Sequence, residues 1–203
     1  MKFLSKSPQS LVLAKNLVYE TTNDARNARI KKMLIDEQKG FCAYSEKVFQ
    51  GLDSAEIEHF NRLLKKADNY YNYYAVVRSV NTHKSKKDRQ YKGASFFQSL
   101  FFQSKEGFAQ RIHFLISDNV YEEIDPNDTE ARDFIDYLGL NSEQVVSDRI
   151  RHISRLRDLP HSTEDNWFNY FRKHRYKLSF VTAIEAAFTL DLTLLINEYQ
   201  PGQ

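Results

Sequence analysis

Two short runs, Ala55-Glu56-Ile57-Glu58-His59-Phe60 and Asn72-Tyr73-Tyr74-Ala75-Val76-Val77-Arg78-Ser79-Val80-Asn81-Thr82-His83-Lys84, decide how this chain reads. The first alternates as a strand does, with Ile57 facing one side and Glu58 the other, and its end releases His59. The second carries two amides, Asn72 and Asn81, with Lys84 after them. Each residue type has a physical job. A carboxylate and an amide oxygen are hard ligands suited to Mg²⁺, which is held by few protein groups and keeps several waters. A neutral imidazole takes a proton from water near pH 7. A second amide can orient that imidazole, and a lysine can meet a phosphate as a point charge. Together these are the parts of one-metal phosphodiester hydrolysis.

On those residues the chain resembles the HNH (ββα-metal) nucleases. Glu58-His59 stands at the acidic-His position, Asn72 at the second position, Asn81 at the third, and Lys84 follows. Glu replaces the Asp that is commoner before the motif histidine. Many members add two Cys-x-x-Cys pairs around a structural zinc. Here Cys42-Ala43-Tyr44-Ser45 keeps one cysteine, and the second pair falls on Val77 and Val80, so the resemblance is to a zinc-less variant. The HNH domain of RNA-guided nucleases also lacks that zinc and has the same spacing between its asparagines. Flanking runs narrow the likeness. Leu34-Ile35-Asp36-Glu37-Gln38-Lys39-Gly40-Phe41-Cys42-Ala43-Tyr44 and Tyr137-Leu138-Gly139-Leu140-Asn141 resemble the PtuB family of Septu and retron-associated antiphage systems, as far as about Arg157. The resemblance implies a metal-dependent nuclease acting with an ATPase partner of the PtuA type.

On that basis Glu58 and Asn81 are the expected ligands of Mg²⁺ or Mn²⁺, with His83 as a further candidate. His59 is the expected general base, positioned by Asn72. Lys65, Arg78, Lys84, Lys86 and Lys87 are the expected phosphate contacts, within a basic cluster opposed chiefly by Asp68 and Asp88. An ordinary solvated face is the alternative reading of that cluster. Two other functions stay open: an HNH-like scaffold that only binds, and a non-catalytic nucleic-acid-binding module using tyrosines and lysines.

Composition sets the bounds. The chain has 203 residues and a formal net charge of +2, enough length for a substantial core and too little charge for a polycation. One cysteine excludes an intramolecular disulfide and an all-cysteine zinc site within one chain. The polar start and the lack of a long apolar run predict a cytoplasmic protein with no membrane span.

The expected fold is α+β and mostly helical: an N-terminal helix and ββα-metal core over 1–94, then a mainly helical region over 95–203. Periodicity predicts a helix over 24–39 stopped by Gly40, short strands at 41–43 and 47–49, and a turn at 51–54. A polar, basic loop follows over 61–71. Tyr70, Tyr71, Tyr73 and Tyr74 can stack on unpaired bases, but alternation favours packing half of them inside. A helix is expected over 81–89. Beyond Gly93, Phe96, Phe97, Leu100, Phe101, Phe102 and Phe108 form a core or interface cluster. Ile112–Ile116 reads as a strand with a structural His113. Asp128 and Ser142 cap helices ending at Gly139 and before Pro160. The second carries Arg149, Arg151, Arg155 and Arg157, most simply a solvated face, alternatively a nucleic-acid or partner contact. Helices over 164–174 and 179–199 complete the expectation, the last with an apolar stripe.

Overall fold

Alternation over 55–59 becomes strand β1 (Ala55–His59), which pairs antiparallel with β2 (Tyr73–Val77). Ala55 lies opposite Val77 and His59 opposite Tyr73. A computed structural model describes residues 1–50, 55–64, 68–160 and 163–199; the expected turn at 51–54 and Lys65 lie outside the described residues. The protein is α+β, about half helical, with two small antiparallel sheets.

Both faces of the first hairpin are covered. Ile57, Tyr73 and Ala75 pack with Ile30 and Leu34 of α2 (Asp24–Glu37), behind the short α1 (Leu11–Ala14). Asn23 starts α2 by accepting the Arg26 N–H, and Lys39 and Gly40 take positive φ where it stops. Gln38, just past its end, is buried and pinned to β2. Its amide donates to the Ala75 carbonyl at 2.8 Å and its oxygen accepts the Ala75 N–H at 2.8 Å. The expected strands at 41–43 and 47–49 shrink to one bridge, Phe41 with Val48. A tight turn intervenes, in which the Glu46 N–H reaches the Cys42 carbonyl and Glu46 has φ +56°.

On the other face, Tyr74 and Val76 join a cluster reaching from Phe3 to Ile196, so residues on both sides of position 94 share one core. Tyr70, Tyr73 and Tyr74 are buried and Tyr71 is exposed, so three of the four tyrosines pack inside. Helix α3 (Arg78–Lys87) follows β2 directly and packs on the hairpin. It begins three residues earlier than spacing from Asn81 suggests. Phe60, at the end of β1, is ringed by aromatics from α4 (Phe96–Ser99), the 3₁₀ turn Phe101–Gln103 and α6 (Thr129–Leu138). Phe102 lies 4.6 Å from both Phe60 and Phe134, ring centre to ring centre. This assigns the phenylalanine-rich segment to the core. Helix α5 (Lys105–Ala109) leads to the second hairpin, β3 (Ile112–Leu115) with β4 (Val120–Glu123).

Asp128 caps α6 by accepting the Ala131 N–H. The next elements are α7 (Glu143–Arg157), α8 (Glu164–Lys173), α9 (Val181–Phe188) and α10 (Thr193–Asn197). The long terminal helix expected over 179–199 is therefore two. Thr189 takes a left-handed conformation, and the carboxylates of Glu185 and Asp191 accept the N–H groups of Leu192 and Thr193. Those side chains offer the backbone an alternative to helical bonding. No helix among the described residues is long and apolar enough to cross a membrane.

Gly139 ends α6 at φ +65°, and a Cβ there would meet the His83 ring at 2.3 Å. Gly139→Ala should therefore lose about 1–2 kcal/mol from the left-handed backbone, plus the steric term. Urea unfolding of Gly139→Ala with and without His83→Ala should show the steric part vanish and the backbone part remain.

Candidate active site

The end of the first hairpin opens into a cleft of about 410 Å³, lined by Tyr19, Ile57, Glu58, His59, Asn61, Arg62, Asp68 and Asn81. His59 stands at its edge with Nε2 3.0 Å from Asp68 Oδ2. The rings of Tyr19 and Tyr73 meet the imidazole edge-on, at 4.8 and 5.3 Å between centres. Burial, with the Asp68 carboxylate adding, pushes the Tyr73 phenol up to about 12. That phenol stays protonated at neutral pH. With Nε2–H directed to a carboxylate, the neutral ring carries its lone pair on Nδ1.

Asn72 does not act on the imidazole directly. It is buried, accepts the Asn61 N–H at 2.7 Å, and donates to the Asn61 carbonyl and to Asp68 Oδ1 at 3.0 and 2.7 Å. It thus fixes the carboxylate that fixes His59. Asp68 is not legible as a site residue in the sequence, because it lies in a polar run and meets His59 only through the fold.

Glu58 lies on the opposite strand face and is buried. Its Oε1 pairs with Lys84, whose ammonium also donates to the His59 carbonyl at 2.9 Å and lies 3.3 Å from Asp88 Oδ1. Lys84 is fully buried, 4.9 Å from the Tyr137 ring centre, so the expectation that it meets phosphate is corrected. Its place follows from helix phase: α3 begins at Arg78, and Val80 and Lys84, one turn apart, both face inward. Burial lowers the Lys84 pKa, against the pull of Glu58.

Arg62 closes the network. Its Nη2 lies 3.5 Å from Glu58 Oε2 and 3.4 Å from Asn81 Oδ1, and its Nε lies 3.2 Å from Asp88 Oδ2. The two expected metal ligands thus face one cation, a guanidinium of the chain itself. Asn81 also donates to Glu56 at 2.7 Å. Partial burial opposes ionisation of Glu56, but hydrogen bonds from Asn81 and Arg78 hold its carboxyl below the usual range.

The remaining candidates disperse. His83 packs against Gly139 and does not line the cleft; burial, with Lys87 adding, lowers its pKa. Lys87 pairs with Asp136 and Arg78 with Glu56, while Lys86 is exposed. The Cys42 thiol accepts the Val77 N–H at 3.4 Å, inside the cluster that also holds Val80.

Among the described residues, no group of three or more His, Cys, Asp or Glu side chains could hold a metal ion. The donors do fit a sparsely held hard cation, since one carboxylate and one amide oxygen already converge on a positive charge. No family model, curated protein or solved structure matches the chain.

The buried Lys84–Glu58 pair gives a stability test. Lys84→Met strands a buried carboxylate and should cost about 3–5 kcal/mol in urea unfolding. Adding Glu58→Gln should recover most of that loss, whereas additive losses would show that the pair is energetically unimportant.

Proposed function

We propose that the chain is a metal-dependent nuclease of the HNH (ββα-metal) class, hydrolysing phosphodiester bonds in nucleic acid. Within that class the reading extends to a PtuB-like effector of antiphage defence, with an ATPase of the PtuA type as its partner. One observation carries it: His59, held by Asp68, shares a cleft with Glu58 Oε2 and Asn81 Oδ1, which both face the Arg62 guanidinium.

Asp68 holds the Nε2–H of His59, which leaves Nδ1 to take a proton from water as general base. Asn72 keeps Asp68 in place. Glu58 and Asn81 would hold Mg²⁺ or Mn²⁺. The bound ion supplies Lewis-acid neutralisation of phosphate charge. Arg62, when it leaves those two oxygens, presents a planar fork that matches phosphate oxygens. The exposed Lys86 can add to the positive field. A second reading, a binding subunit on an HNH-like scaffold, is favoured by Lys84 saturating Glu58 Oε1.

Incubation with plasmid DNA, single-stranded DNA and total tRNA, in Mg²⁺, Mn²⁺ or EDTA, tests catalysis. Cutting should require metal and disappear in His59→Ala, with an unchanged circular-dichroism spectrum. Asp68→Asn should cut at least about tenfold more slowly, because the wrong tautomer is then held. His59→Ala that cuts at the wild-type rate would sink the assignment, as would inactivity both alone and with the co-purified ATPase.

Mn²⁺ titration followed by electron paramagnetic resonance separates the two readings without catalysis. Arg62→Gln should tighten Mn²⁺ binding by roughly two- to fivefold, the scale of a part-exposed ion pair, and Glu58→Gln should weaken it. The binding-subunit reading predicts no Mn²⁺ signal at this site in any variant.

A further inference from the structure

Away from the cleft, the turn before Val48, one face of α7 and the 3₁₀ turn Arg175–Leu178 enclose an open groove of about 450 Å³. Lys47, Arg151, Arg155 and Lys177 line it. Its one lining carboxylate among the described residues, Asp148, pairs with Lys47 at 2.7 Å. Arg151 and Arg155 lie one turn apart on the same face of α7 and are both exposed. Neither they nor Lys177 pairs with a carboxylate among the described residues. Arg149 differs: it is buried and donates to the Leu140 carbonyl at 3.1 Å, so it belongs to the core.

Two side chains shape what this positive surface can accept. Tyr176 is 47% exposed at the groove, with Lys177 Nζ 5.2 Å from its ring centre. His152 turns Nε2 to the Lys177 carbonyl at 2.9 Å. Like charges one helical turn apart repel unless an anion lies between them. An open groove with that charge excess takes a phosphate chain, and an exposed ring beside it stacks on a base face. Stacking selects unpaired bases, because a duplex hides those faces.

We propose that this groove binds single-stranded nucleic acid, with Arg151, Arg155 and Lys177 on the phosphates and Tyr176 stacked on a base. Its place in the fold gives the strand a destination. Val77 lines the groove and pairs with Ala55, at the opposite end of β1 from His59, roughly 13 Å along the strand. The direction of that track rests on the nuclease reading; the binding does not.

Fluorescence anisotropy of a labelled oligothymidine and a labelled duplex, in EDTA across a salt titration, reads binding without cleavage. Arg151→Ala and Arg155→Ala should each reduce the slope of log K against log salt by about 0.7, the value for one phosphate contact on a single strand. Tyr176→Ala should weaken oligothymidine binding by about 5- to 100-fold and leave duplex binding unchanged. All three residues are exposed, so their variants fold. Wild-type affinity and slope in these variants would overturn the groove, as would an equal loss on duplex in Tyr176→Ala or no oligothymidine binding by the wild type. Oligothymidine binding lost in the variants, from a chain that cleaves nothing in any metal either alone or with the co-purified ATPase, would sink the nuclease reading and leave the groove standing.

Discussion

The buried ammonium of Lys84 is the constraint around which the rest of the structure is arranged. It cannot be removed from water without partners, and it finds them on three separate pieces of chain: Glu58 and the His59 carbonyl on the hairpin, Asp88 after α3, and the face of Tyr137 on α6. Tyr137 adds its own hydroxyl, which donates to the Phe60 carbonyl at 2.7 Å and lies 2.9 Å from Asp88. Helix α6, hairpin and α3 are therefore locked in register by polar contacts, within an aromatic shell that supplies the apolar burial. The geometry of the cleft is inherited from this lock, because Glu58 and His59 are adjacent in sequence and Lys84 holds one atom of each.

The strand alternation that places Glu58 and His59 on opposite faces also separates their environments. Glu58 sits among charges in the interior, paired with Lys84 and near Arg62. His59 sits between two aromatic edges with a single carboxylate partner. One end of a five-residue strand thus presents a fixed negative group and an oriented imidazole to the same cleft.

Much of this was legible in the sequence, and the failures have physical causes. Alternation over 55–59 revealed the strand, and the cap expected at Asp128 starts α6, while Ser142 stands at the start of α7 without a side-chain cap hydrogen bond. Apolar spacing over 180–192 suggested one helix, but Glu185 and Asp191 compete for backbone N–H groups and break it. Strand β4 is not legible in the sequence, because Val120-Tyr121-Glu122-Glu123 is short and half acidic. In the cleft, the grouping of Glu58, His59 and Asn81 followed from the motif spacing. The roles of Lys84, Asp68 and Arg62 did not. Lys84 needed the helix phase, and the other two meet their partners only through tertiary folding.

Arg62 shows how this site differs from one assembled by its ligand. In small metal domains the ion supplies the folding free energy, because the apo site is a cluster of unbalanced donors. Here the chain carries its own counterions: Lys84 and Arg62 answer the charges of Glu58 and Asp88. The polypeptide balances these charges with its own side chains around an apolar core, and under the proposed reading an incoming ion would compete with a tethered guanidinium for oxygens already held in place.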